Sequence, residues 1–95
     1  MIELTIRITV ELLGVYQKLF GKKVLSLQLD RPANVKEVIS KLSKLRPHQL
    51  HPSVNNSLAD TIILLNKVEI GVLKGLDTKI KNGDKIVIIP ATHGG

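Results

Sequence analysis

An α+β fold, with one main helix lying across a mixed five-stranded sheet, follows from three features of this 95-residue sequence. Its start alternates apolar and polar residues without a fault, its middle carries one helical apolar stripe, and its end holds a strand that is apolar at every position. A period of two marks a half-buried strand, a period near 3.6 an amphipathic helix, and an uninterrupted short apolar run a strand buried on both faces. One helix then has to cover one face of one sheet.

Taken in order, Ile2, Leu4, Ile6, Ile8 and Val10 alternate with Glu3, Thr5, Arg7, Thr9 and Glu11, predicting a first strand over 2–11. Leu25, Leu27 and Leu29 repeat the pattern in a second strand, about 23–30, after a connection containing Gly14 and Gly21 that is too long for a tight turn. Arg31-Pro32-Ala33 breaks this strand. Asn34 then stands at a helix N-cap with Glu37 three residues on, in the manner of a capping box. Val35, Val38, Ile39, Leu42 and Leu45 share one face of a helix over 34–46, which stops before Pro47.

Residues 47–60 are rich in Pro, His, Asn and Ser and read as a loop, with at most one short turn around Val54 to Leu58. A third strand is predicted over 61–66 and a fourth over 68–73, joined by a tight turn at Asn66-Lys67. Asn82-Gly83 is a strong turn signal before the last strand, 85–90. The order β-β-α-β-β-β suits a β-grasp, the ubiquitin-like fold, with the first and last strands as the central pair. The predicted organisation is a single β-grasp domain over 1–90 and a flexible C-terminal tail over 91–95.

Composition narrows the chemistry. Cysteine is absent, which removes disulfides, thiolate metal sites and cysteine nucleophiles together. Fourteen Lys and Arg against eight Asp and Glu give a net charge of +6, suited to attracting an acidic protein or RNA at long range. The cations are scattered from Arg7 and Lys18 to Lys81 and Lys85, and Tyr16 and Phe20 are the only aromatic residues. Direct nucleic-acid binding by base stacking is therefore disfavoured. Neither a membrane-spanning apolar stretch nor a secretory leader is recognisable, and the expectation is a cytoplasmic protein. His48 and His51 lie between Pro47 and Pro52 with no completing carboxylate or thiol, so no metal site is expected. A nucleophile elbow and a glycine-rich phosphate loop are both missing, and catalysis by this chain alone is not expected.

The most informative residues are Gly94 and Gly95, reached from Ile86-Val87-Ile88-Ile89 through Pro90-Ala91-Thr92-His93. At a glycine usage of about 7%, such a pair arises by chance in roughly 0.5% of chains. Glycine lacks Cβ, so the backbone fits a narrow channel and a terminal carbonyl stays open to attack. Five extended residues, 91–95, reach at most about 17 Å. Ordering them costs about 1–2 kcal/mol per residue, which contacts from a globular face must offset. The face opposite the helix is the candidate, through either Ile86 and Ile88 or Val87 and Ile89, since alternate residues of the last strand point there.

These residues resemble the MoaD/ThiS-like sulfur carriers, which include the small subunit of molybdopterin synthase and the ubiquitin-related modifiers. The resemblance spans nearly the whole chain in element order. Its specific part is Leu65-Asn66-Lys67-Val68-Glu69-Ile70-Gly71, then Leu76-Asp77-Thr78-Lys79-Ile80, Asn82-Gly83-Asp84-Lys85-Ile86, Pro90 and Gly94-Gly95. Small molybdopterin synthase subunits usually approach their glycines through a Pro-Pro-Val-like stretch and are acidic. This basic chain has Pro90-Ala91-Thr92-His93, and His93-Gly94-Gly95 looks more like the ending of the ubiquitin-related modifiers.

The resemblance implies that an E1-like enzyme uses ATP and magnesium to adenylate the Gly95 carboxylate, after which a sulfur donor converts it to a thiocarboxylate. Gly94 and His93 would thread the tail, and this chain would hold no cofactor of its own. The acceptor would be a pterin precursor on a molybdopterin synthase large subunit, the leading reading. Alternatives are a tRNA base on a tRNA-thiolating enzyme and lysine amines of target proteins, with this chain as modifier. Lys67 and Lys74 could accept such bonds, though they read as ordinary surface charge.

Overall fold

The computed structural model describes residues 4–45 and 61–91, and the architecture below is that of these residues. Five strands form the main sheet: β1 (Thr5–Leu12), β2 (Val24–Asp30), β4 (Thr61–Leu65), β5 (Val68–Glu69) and β7 (Lys85–Pro90). Their order is β2-β1-β7-β4-β5. β1 and β7 run parallel, Val10 beside Ile86 and Leu12 beside Ile88, while β2 and β4 pair antiparallel to them on either side. The central parallel pair is the one expected of a β-grasp.

Helix α2 (Val35–Leu45) crosses one face of this sheet. Its start follows from chemistry legible in the chain: the Glu37 backbone N–H donates to Asn34 Oδ1 at 3.0 Å, so the Asn34 side chain satisfies a donor that the first helical turn leaves open. Val35, Val38 and Leu42 are fully buried and Ile39 partly so, whereas Leu45, expected on the same face, is 54% exposed at the helix end. Beneath the helix, alternate sheet residues Ile6, Ile8, Val10, Leu12, Leu27, Leu29, Ile63, Leu65, Ile86 and Ile88 complete the core.

Several boundaries differ from expectation, each for a local reason. The first strand lies one residue further along at its end, with Leu12 buried, and begins only at Thr5. Leu4, expected inside, is 74% exposed, because β2 stops opposite Thr5; beyond that pair the Arg31 N–H donates to the Leu4 carbonyl. The long connection holds a second helix, α1 (Val15–Phe20), bounded by Gly14 and by Gly21, the latter in the left-handed conformation that closes helices. The strand expected over 68–73 has only two paired residues. Ile70 turns into the core, and the chain proceeds through short 3-10 turns at Ile70–Val72 and Gly75–Asp77.

A two-stranded ribbon completes the fold: β3 (Ala33–Asn34) pairs with β6 (Lys79–Ile80). The loop expected over 47–60, with His48 and His51, lies outside the described residues. Among the described residues no helix is long and apolar enough to cross a membrane.

Candidate functional site

The proposed attachment point, Gly95, and the threading residues Gly94 and His93 lie outside the described residues. What the structure shows is how the chain is delivered to them. β7 is the middle strand of the sheet and runs to Pro90, and Ala91 beyond it is exposed and without regular structure.

The parity left open along the last strand is resolved. Ile86 and Ile88, 0% and 4% exposed, belong to the core and are unavailable to a partner. Val87 and Ile89 point to the opposite face and are only partly buried. Across the sheet they meet β4 in register, Leu64 opposite Val87 and Ile62 opposite Ile89. Two cross-strand pairs thus build an apolar quartet on the face away from α2. Ile62 is 37% exposed at its margin. On the β1 side the quartet is bordered by charge: Glu11 sits beside Val87, and its carboxylate pairs with Lys85 at 3.0 Å and Lys23 at 3.9 Å.

A hydrogen-bonded turn and a close backbone contact flank β7 at its two ends. At its start, the turn Asn66-Lys67, with positive φ at both residues, docks on the Gly83-Asp84 turn. Asn66 Oδ1 accepts from the Lys85 N–H at 2.9 Å, and Asn66 Nδ2 donates to Asp84 Oδ1 at 3.0 Å. Asp84 Oδ2 accepts from the Lys81 N–H at 2.7 Å. The same turn is tied to β1, for Asn82 Oδ1 accepts the Arg7 N–H and the Asp84 carbonyl accepts the Thr9 N–H. Of Asn82 and Gly83, only Gly83 takes positive φ, +90°, as in a type II turn.

At the other end Gly14 touches Pro90. Gly14 has φ +58°, and a Cβ built there would stand 2.7 Å from Pro90 Cγ. This contact is at the base of the tail, and sequence reasoning missed it; the sole signal was a glycine just after a strand. Gly14→Ala should therefore cost about 1–3 kcal/mol from overpacking and left-handed strain together. Gly21→Ala, at φ +72° with open space around it, should cost only about 1 kcal/mol. Urea denaturation of the two variants checks the ranking.

A five-stranded sheet with a central parallel pair and one helix across it defines a ubiquitin-like β-grasp domain, and its central strand leads towards Gly94 and Gly95. Comparison with known proteins agrees. The model of the ThiS family matches residues 10–95. A search of curated proteins finds no significant match. Among solved structures, the small archaeal modifier protein 1 of Methanosarcina acetivorans superposes with a TM-score of 0.77 at 25% identity, covering 96% of this chain and 98% of its own. Urm1 from Trypanosoma brucei gives 0.67 at 27% identity, with 99% and 100% covered. A Pyrococcus furiosus protein assigned as molybdopterin converting factor, subunit 1, shares the fold, with a TM-score of 0.73 at 18% identity over 92% of this chain and 99% of its own. The chain belongs to the ThiS family.

Proposed function

We propose that this protein carries sulfur as a thiocarboxylate on Gly95 for molybdopterin synthesis, and that it acts entirely through partner enzymes. The single observation that supports the carrier chemistry is that the ThiS match extends through Gly95 itself. A carboxylate is a poor electrophile. In the proposed cycle a Gly95 oxygen attacks the α-phosphorus of ATP on an E1-like enzyme and pyrophosphate leaves. The acyl-adenylate then has AMP as a good leaving group: the terminal sulfur of the donor persulfide displaces AMP to give an acyl disulfide. A second thiol of the donor or activating enzyme attacks the donor's sulfur, leaving the Gly95 thiocarboxylate and a disulfide between the two thiols. ATP and magnesium belong to the activating enzyme.

Docking falls to the apolar quartet, whose contacts offset the ordering of the tail at about 1–2 kcal/mol per residue. Ile62→Glu places a charge at the quartet's exposed margin, so it should weaken binding of the activating enzyme or the large subunit by at least about tenfold. Unfolding free energy should change by less than about 1 kcal/mol. Calorimetric titration and urea denaturation test the two halves, and undiminished binding would remove the quartet from the interface.

Incubation with an E1-like enzyme, ATP, a persulfide donor and a reducing thiol, followed by intact-mass measurement, tests the carrier chemistry. Exchange of one terminal oxygen for sulfur is expected, and an unchanged mass with every cognate enzyme would refute it. A second reading is supported by the resemblance to Urm1 and to the archaeal modifier: transfer of activated Gly95 to lysine amines. Recovery from cells of branched peptides bearing this tail identifies that route. Transfer of sulfur to tRNA rather than to a pterin precursor would redirect the carrier to the thiolation pathway.

A further inference from the structure

The pole of the domain away from Pro90 carries a surface that neither β7 nor the apolar quartet explains. There the β3–β6 ribbon sets Ala33 opposite Ile80 and Asn34 opposite Lys79, bringing Arg31-Pro32 and Lys81-Asn82 to one edge beside Ile6 of β1. They enclose an open cleft of about 750 Å³. Its exposed apolar wall is Pro32, with Ala33 and Ile80 only 5% exposed behind it, its rim is cationic through Arg31, Lys79 and Lys81, and among the described residues no carboxylate lines it. Lys79 and Lys81 flank the inward-facing Ile80 in an extended segment, so both stand on its exposed side.

Among the described residues the rim charges have no acidic partner. Among the described residues the ion pairs join Glu11 to Lys23 and Lys85, and none reaches Arg31, Lys79 or Lys81. The Asp84 carboxylate on the neighbouring turn is buried and already accepts from the Lys81 backbone and from Asn66. Three cations with no ion-pair partner among the described residues, set around the exposed Pro32, call for a ligand with several negative charges and an apolar group between them.

We propose that this cleft docks an acidic peptide segment of a partner protein, an extended stretch that lays an aliphatic side chain on the exposed Pro32 and directs flanking carboxylates to Arg31, Lys79 and Lys81. The guanidinium offers carboxylate a two-pronged contact that the ammonium groups supplement as point charges. A nucleic-acid backbone would supply charge without the apolar group, and no aromatic side chain lines the cleft to stack a base. Position gives the site its use. β7 starts at this pole and carries the chain roughly 20 Å away over its six residues, so a partner held in the cleft leaves the tail free for a second enzyme.

The test is titration of the isotope-labelled full chain with a synthetic peptide of glutamates flanking a central Leu-Ile pair, followed by amide chemical shifts. Saturable shifts at Arg31, Ala33 and residues 79–82 are expected, weakening with added salt. Lys79→Glu/Lys81→Glu should weaken binding by roughly tenfold or more, and Lys79→Ala/Lys81→Ala by less, both with dispersed native spectra. Lys44→Glu, outside the cleft, should stay within about twofold of the parent chain. The proposal is overturned by an absence of saturable binding, by shifts centred on Ile62 and Val87, or by an equal loss in Lys44→Glu. Equal affinity for a peptide with serines in place of the Leu-Ile pair, or tighter binding of an oligouridine of the same net charge, overturns it as well.

Discussion

Deleting Gly95 should suppress adenylation by at least about 100-fold while leaving the unfolding free energy within about 0.5 kcal/mol of the parent chain. The kinetic half follows from reach. One extended residue spans at most about 3.6 Å, so its loss withdraws the reacting carboxylate from the α-phosphorus by far more than the misplacement of about 1 Å that already costs some hundredfold. Recovering that distance would require the domain to shift on its partner, at the expense of contacts through Ile62, Leu64, Val87 and Ile89. The thermodynamic half follows from the fold: β7 ends at Pro90 and the core is complete at Ile88. Gly95→Ala separates length from width. It keeps the carboxylate in place but adds a Cβ, so an intermediate loss points to a narrow channel. ATP–pyrophosphate exchange with the E1-like enzyme reads the first effect and urea denaturation the second. Undiminished exchange by the shortened chain would remove Gly95 from the chemistry.

The legible parts of this protein are those in which local pattern and tertiary burial coincide. Alternation placed Ile6, Ile8 and Val10 inside, and the Asn34 and Glu37 spacing located the start of α2, because both depend on periodicity or on groups three residues apart. The parity of Ile86 to Ile89 was illegible for a physical reason: all four are apolar, and only pairing with β1 and β4 decides which pair faces the helix. The β3–β6 ribbon has two residues per strand and is held by tertiary contact, for which no local pattern exists. Helix α1, six residues long, is shorter than any window that reveals a helical period, and its bounding glycines were equally compatible with a loop. At the candidate site, Gly94 and Gly95 were conspicuous as chemistry. Gly14 was not, since its role rests on a contact with Pro90, 76 positions away in the chain.

Asp84→Ala should be among the most destabilising polar substitutions in the chain, at about 2–4 kcal/mol. The side chain is 8% exposed and its two oxygens accept from different donors, the Lys81 N–H and Asn66 Nδ2. Removing it leaves both donors without their partner in a largely dry site, and hydrogen bonds to a charged group are worth about 1.5–3 kcal/mol each. Asp84→Asn should cost less, because its single remaining carbonyl oxygen still serves one donor while the amide opposes the other. Asn66 is bound into the same unit: its side chain spans the Lys85 N–H and Asp84, and its φ of 49° is a conformation that asparagine tolerates better than alanine. The effects of Asn66→Ala and Asp84→Ala should therefore fall short of additivity by about 0.5–3 kcal/mol in a double-mutant cycle measured by urea denaturation. Additive losses would mean that the two turns are held independently. Coupling of the expected size would explain why Asn66-Lys67 and Gly83-Asp84 occur together: one turn clamps the other at the root of the strand that leads to the tail.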